Sequence, residues 1–364
     1  MQDKDSGDMQ GGLWIRNAWY VAAFSSDVQH ELLARTLLGK PVLMYRDRAG
    51  KPVAMADKCP HRGVPLSLGK LVDGMVRCTY HGLRINSDGQ CKHIPCQTLI
   101  PSQARVVTYP LAEKHGFAWI WMGDAAQADA ELIPDVHWMD DPAWAACGGY
   151  HHVGADYQLM NDNLLDLSHE SFLHDRTIGN EAVAEAPIKT AVGTDEVRVH
   201  RDILNCEPPP FYIKATGFTD RINRWHTTVF KPPSFNLIEN GSYPATASRE
   251  QALERRVIHL TTPETATSCH YFWGVARAYQ RDDVALTQFI QQQSSNTFDE
   301  DKAMLEAQQR SLGDGSGSAF PVALCTDVGP IQARKLIQKR LAAEQSAAVN
   351  MAGTPLKEAA HAAW

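Results

Sequence analysis

Two groups of residues in this chain have the types and spacing needed for metal chemistry. The first is Cys59-Pro60-His61 followed, sixteen residues on, by Cys78-Thr79-Tyr80-His81, a C-x-H half and a C-x-x-H half. A structural zinc ion would take all four side chains in one tetrahedron, but its usual first half is a pair of Cys two to four residues apart. A Rieske-type [2Fe–2S] centre takes two Cys on one iron and two His on the other, which raises its potential above that of an all-Cys cluster. One Cys and one His on each loop suit that split, because each loop then touches both irons. Gly63 and Gly82 follow the two halves and allow each loop to turn tightly. An electron-transfer centre is therefore expected. Cys91, His93 and Cys96 lie nearby but outside the pattern, and read as structural.

The second group is Asn161–His174, NDNLLDLSHESFLH. His169-Glu170 invites a metalloprotease reading, but that motif needs its second His four residues on, and here it stands at 174. On a helix, i,i+4 side chains sit about 40° apart and i,i+5 side chains about 140° apart, so zincin chemistry is not expected. His169 and His174 can converge if the helix ends, breaks or bulges between them. Asp166, three residues before His169, shares its helical face. Two His and one carboxylate with open positions form the facial triad of non-haem Fe(II) oxygenases. Beside an electron-transfer centre this reading gains weight, since O2 activation at one Fe(II) needs electrons delivered singly. Two carboxylates are then required, one as ligand and one to orient a ligand His through its second ring nitrogen. Asp166 is placed for the second role. For the first, Asp299, Glu300 and Asp301 are all open.

These residues need two scaffolds. Residues 13–122 read as short strands, with Pro41–Arg46 and Pro52–Ala56 flanking a hairpin turn at Asp47–Lys51 and Phe117–Met122 as a third strand. No alternation of strands and helices is visible there, which excludes a doubly wound sheet. Residues 123–146, rich in Asp, Ala and Pro, read as a connection. A second unit, 147–345, carries a helix over about Gln158–His174 and strands around Glu196–Arg201, Thr227–Phe230, Arg256–Thr261 and Cys269–Ala276. Long helices follow over about Asp283–Leu312 and Pro330–Gln345, and a frayed tail over 346–364. The expected fold class is α+β, an all-β cluster domain followed by an antiparallel sheet covered by helices.

Composition excludes several function classes. The 364 residues are 44% hydrophobic and carry a net charge of −7 without any Lys/Arg block, so nucleic acid is not an expected partner. No uncharged apolar run approaches the roughly 18 residues of a membrane span. The polar start MQDKDSGDMQGG lacks a secretory core, and eight scattered Cys are too few for a disulfide scaffold, so a cytoplasmic location is expected. Gly63…Gly69-Lys70 has the wrong spacing for a phosphate loop and ends in Leu71, and Gly313–Gly317 reads as a flexible loop.

The chain resembles the Rieske non-haem iron oxygenases, in particular the oxygenase components of the vanillate O-demethylase, toluenesulfonate methyl-monooxygenase and dicamba O-demethylase group. The resemblance runs from about Leu13 to Gln345 through RNAWYVAA (16–23), CPHRGVPLSLG (59–69), YHGL (80–83), WIWMGD (119–124), DNLLDLSHESFLH (162–174), TPET (262–265), YFWG (271–274) and EDKAMLEAQQR (300–310). It implies Cys59, His61, Cys78 and His81 as cluster ligands. It implies His169, His174 and Asp301 as iron ligands, and Asp166 as the bridge to a cluster His, His81, of a neighbouring subunit in a ring-shaped homotrimer. Thr79 departs from the Pro common among relatives, and Leu83 from the Trp. The implied activity is monooxygenation of a methyl or methoxy group of an aromatic acid, oxidative O-demethylation above all. O2 would be the co-substrate, and NAD(P)H electrons would come from a separate reductase or ferredoxin. Ring hydroxylation to a cis-diol and a non-catalytic Rieske electron carrier are the alternatives. Asn236 and His259 fall where dicamba-type relatives place an Asn and a His near the substrate carboxylate, and a protonated His would add charge to that hold. Trp225, His226 and Trp273 are candidates for an aromatic pocket.

Overall fold

The computed structural model describes residues 13–313 and 320–352. The N-terminal unit holds β1 (Trp19–Phe24), β2 (Leu33–Leu37), β3 (Lys40–Arg46), β4 (Pro52–Ala56), β5 (Lys70–Val72), β6 (Met75–Arg77), β7 (Arg84–Ile85), β8 (Cys91–His93), β9 (Thr108–Tyr109), β10 (Leu111–Lys114) and β11 (Phe117–Trp121). They form three antiparallel sheets, ordered β1-β11-β10, β2-β3-β4-β9 and β5-β6-β7-β8. The β3–β4 hairpin is closed by Asp47, whose Oδ1 accepts from the Ala49 and Lys51 amides at 2.9 and 3.0 Å. Leu43, Tyr45, Met55, Leu66, Val76 and Ile85 give this unit its own core, and Cys59 and Cys78 sit on it.

Seven strands build the second unit: β12 (Ala145–Val153), β13 (Lys189–Val192), β14 (Val197–Cys206), β15 (Ile222–Lys231), β16 (Phe235–Pro244), β17 (Leu253–Thr265) and β18 (Ser268–Arg277). They form one antiparallel sheet ordered β12-β18-β17-β16-β15-β14-β13. The sequence reading has no strand at β12 or β16, because each contains glycine where a strand former would be expected. Close approach explains both: a Cβ on Gly149 would run into the Trp273 indole, and one on Gly241 into the Trp225 indole. β12 also begins two residues inside the expected connection.

The helices are α1 (Tyr157–Leu165), α2 (Glu170–Leu173), α3 (Glu181–Glu185), α4 (Pro210–Thr216), α5 (Val284–Leu312) and α6 (Val328–Ala352). The Asp283 side chain caps α5 by accepting from the Leu286 amide at 2.8 Å. The buried residues of α5, Leu286, Ile290, Thr297, Asp301, Leu305 and Gln309, recur at helical spacing and line one face of it. The expected frayed tail from 346 is helical as far as Ala352, in keeping with its alanines. Residues 353–364 and most of the Gly313–Gly317 loop lie outside the described residues.

The two units share a core, in which Tyr20 and Ile120 of the first join Tyr157 and Tyr271 of the second. The Thr262 hydroxyl also donates to the Val21 carbonyl at 2.6 Å. No helix among the described residues is long and apolar enough to cross a membrane.

Candidate active site and metal centres

The two half-motifs fold into matching loops. In the first, the Cys59 amide donates to Val64 O at 2.8 Å and the Gly63 amide to Cys59 O at 2.9 Å. In the second, the Cys78 amide donates to Leu83 O at 2.8 Å and the Gly82 amide to Cys78 O at 3.0 Å. Gly63 and Gly82 take φ of 72° and 73°, the left-handed turn that explains glycine at both places. The thiols are buried while His61 and His81 are exposed, their Nδ1 atoms 3.2 Å apart. Burial pushes the Cys59 thiol up, and Cys78 beside it adds to the shift. Thiol therefore faces thiol and imidazole faces imidazole. Among the described residues, the one set of three or more donors gathered within 4.8 Å lies elsewhere, so these four do not converge on a single ion. That arrangement fits two irons and does not fit one tetrahedral zinc.

The set that does converge is His169, His174 and Asp301. The helix expected over 158–174 is broken. α1 ends at Leu165, and the Asp166 carboxylate turns back to accept from the Ser168 amide at 2.8 Å and its hydroxyl at 2.5 Å. His169 and His174 then cap the two ends of the one-turn α2. This break brings i,i+5 side chains together, with ring centroids 5.1 Å apart. Asp301 Oδ1 lies 3.4 Å from His169 Nε2 and 3.2 Å from His174 Nε2, and accepts from Asn163 Nδ2 at 3.0 Å.

The far nitrogen of each ring is held. His169 Nδ1 meets the Asp166 main-chain carbonyl at 2.5 Å, and His174 Nδ1 meets Glu300 Oε2 at 2.7 Å. The Asp166 side chain does not hold His169 as expected; its backbone does. Both Nε2 atoms are thereby aimed at Asp301. Burial opposes charge on His169, but the Asp301 carboxylate outweighs it and pushes the imidazole up to about 9. The Asp301 carboxyl is opposed by burial in turn, yet the two His hold it well below the usual carboxylate range. Two neutral His and one carboxylate suit a divalent iron, which would take the place of those protons.

All three consecutive acids of α5 find a histidine. Asp299 Oδ1 is 3.3 Å from His151 Nε2, Glu300 bonds His174, and Asp301 completes the triad. Glu170 is fully buried and has a different task. It faces His226 Nδ1 at 2.8 Å, Arg201 Nη2 at 2.8 Å and Arg224 Nη2 at 3.7 Å, tying α2 to the sheet.

A cavity of about 90 Å³ lies between the sheet and α5, with Phe298, His259, His226, Tyr212, Arg224 and Arg255 in its walls; Glu170, next in sequence to His169, also lines it. His259 is hydrogen-bonded through Nδ1 to the Tyr271 hydroxyl at 2.6 Å, and its Nε2 has no partner. Burial pulls His259 down to about 3, so it is neutral and adds no charge. Asn236 lies opposite His259 across β16 and β17, yet it does not line the cavity. Its Nδ2 donates to Asn161 Oδ1 at 3.0 Å, beneath α1. Of Trp225, His226 and Trp273 only His226 reaches the cavity; Trp225 packs on Arg249 and Trp273 donates to His151. Phe211, Tyr212 and Phe298 supply the aromatic walls, and the sequence reading missed all three together with Arg255.

Residues 18–110 match the Rieske [2Fe–2S] domain family, and residues 153–343 match the vanillate O-demethylase oxygenase C-terminal domain family. The chain is 39% identical to the vanillate O-demethylase oxygenase subunit of Pseudomonas sp. (strain HR199 / DSM 7063), covering 92% of this chain and 97% of that protein. It is 37% identical to the iron-sulfur subunit of the toluene-4-sulfonate monooxygenase system of Comamonas testosteroni, covering 91% and 98%. The structure of dicamba monooxygenase bound to 3,6-dichlorosalicylic acid superposes with a TM-score of 0.86 at 33% identity, over 92% of this chain and 99% of that one. A second structure of that enzyme, with non-heme iron and dicamba, gives 0.79 at 32%, over the same shares. With both family models matched and relatives of matching length, the chain belongs to the vanillate O-demethylase group of Rieske non-haem iron oxygenases, as an oxygenase component using a [2Fe–2S] cluster and a mononuclear iron.

Proposed function

We propose that the chain catalyses oxidative O-demethylation of a methoxylated aromatic acid. The observation that carries this reading is the cavity walled by arginines and aromatic rings, whose lining includes Glu170, next in sequence to His169, and Phe298, three residues from Asp301 on α5. In this reading Cys59, His61, Cys78 and His81 hold the cluster, and His169, His174 and Asp301 hold the iron. When bound, the cluster passes single electrons and the ferrous ion activates O2. The protein's own residues set the conditions. Asp166 O and Glu300 fix the two ring orientations, Glu170 pins α2 to the sheet, and Phe298 with Tyr212 walls the cavity against water. The cavity is smaller than the roughly 150 Å³ that admits benzene, so its walls must part to take a substrate. Hydroxylation of the methyl group consumes O2, two electrons and two protons and releases water. The resulting hemiacetal collapses to a phenol and formaldehyde.

Electrons come from a separate reductase or ferredoxin fed by NAD(P)H, the partner that "oxygenase subunit" in a relative's name implies. We further propose a homotrimer in which one subunit's cluster loops dock on the next subunit's iron site. Supporting this, Asp166 and His169 line an open groove with Phe172, Met304, Val322 and Leu324 exposed around it. The exposed His61 and His81, with Tyr80 beside them, are free to enter such a groove. Asp166 would then join the two centres. None of the eight cysteines is paired in a disulfide, which fits a reducing cytoplasm. The test is NADH-dependent turnover of 4-methoxybenzoate with an added reductase. Formaldehyde and 4-hydroxybenzoate released in step with O2 uptake are expected; a cis-diol, or electron flow without O2 uptake, would contradict the reading.

A further inference from the structure

The cavity wall holds more positive than negative charge. Arg224 and Arg255 line it and Arg201 stands beside Glu170; all three are almost wholly buried, and the one carboxylate of the wall, Glu170, faces Arg201 and Arg224. Glu170 is taken up by Arg201 and His226, with Arg224 at its margin. Arg255 is 2% exposed and forms no ion pair among the described residues. Its Nε donates to Asn240 Oδ1 at 3.1 Å, its guanidinium lies against the Phe211 and Tyr212 rings at 4.8 and 4.6 Å, and its Nη1 has no partner. A buried guanidinium without a counter-charge is costly, and the cost is lifted when an anion arrives.

Position adds direction. Arg255, Val257 and His259 alternate along β17 and all line the cavity. Arg255 lies four residues from His259, about 13 Å along the strand. On α5, Phe298 lies three residues from Asp301, while Gln293 and Ser294 line the cavity roughly two turns from Asp301. The cavity therefore has an iron end, at Phe298 and His259, and a cationic end, at Arg255.

We propose that Arg255 is the anion anchor of this cavity. Its guanidinium holds the carboxylate or sulfonate of an aromatic acid at the end remote from His169, His174 and Asp301, presenting the opposite side of the ring for oxidation. The proposal rests on the oxygenase reading above and sharpens its substrate class: aromatic acids whose methyl or methoxy group lies across the ring from the anion. A planar fork with an open Nη1 suits two-point recognition of either anion.

Calorimetry on the iron-loaded enzyme, without reductase or O2, tests this with 4-methoxybenzoate, 4-toluenesulfonate and the uncharged methyl 4-methoxybenzoate. The wild type is expected to bind one or both acids at least roughly tenfold more tightly than the ester. Arg255→Met should lose roughly ten- to hundredfold on the acids and almost nothing on the ester. Arg255→Lys should keep a preference for acid, which guards against a Met variant that misfolds, and the visible spectrum and iron content of each variant report its integrity. Equal wild-type affinity for acid and ester, or undiminished acid binding by Arg255→Met, would overturn the proposal. Because binding is read without turnover, failure of the demethylation reading appears separately, as the absence of formaldehyde from the wild type.

Discussion

The loops proposed to hold the cluster and the triad proposed to hold the iron solve opposite problems with similar residues. The cluster loops lie close in sequence, repeat one hydrogen-bond frame twice, and leave their two histidines at the surface. The triad draws on segments about 130 residues apart, buries His174 and Asp301, and fixes each imidazole from behind through Asp166 O or Glu300. Exposure suits a centre that must exchange electrons with other surfaces. Burial suits one that must keep O2 chemistry away from bulk water. With these residues in those roles, electron entry is a property of two loops, whereas the oxidation site depends on the whole sheet-and-helix scaffold.

Substitutions should separate the two regions. Cys78→Ala is expected to have the largest effect, abolishing the cluster's visible absorption and all turnover while the triad still takes up iron; absorption spectra and iron analysis check this. Asp166→Asn should leave both centres in place, since His169 is held by the main-chain carbonyl, yet lower coupled turnover roughly ten- to hundredfold. Retained turnover would remove Asp166 from the electron path. Glu170→Ala strands Arg201, Arg224 and His226 in the interior, and denaturant unfolding should show a loss of about 3–5 kcal/mol. Glu300→Gln should have the smallest effect, weakening iron affinity by roughly tenfold in a metal titration and leaving the cluster spectrum unchanged.

The same contrast explains what the sequence made legible. The cluster motif is contiguous, so its donors and its two turning glycines can be read directly. The triad was harder because a helix drawn through 158–174 keeps His169 and His174 apart. The break depends on the Asp166 side chain choosing the Ser168 amide and hydroxyl, a local competition that hydrophobic spacing does not reveal. The choice among Asp299, Glu300 and Asp301 had an unused signal: Asp301 falls on the buried stripe of Leu286, Ile290, Thr297 and Leu305, and its two neighbours do not. Arg255 falls one residue outside the strand expected at Arg256–Thr261, and alternation on the longer β17 puts it on the face of His259. Asn236 is the converse case: it pairs with His259 across β16 and β17, and the packing of α1, which no spacing reveals, gives its amide to Asn161.

Comparing wild type with Asp301→Ala in iron content and visible spectrum decides whether one chain holds an exposed two-iron centre and a buried one-iron centre in separate residue sets. About three irons per chain are expected in the wild type and about two in the variant, with unchanged absorption near ~450 nm in both. A variant that keeps all its iron, or a colourless wild type holding zinc, would contradict it.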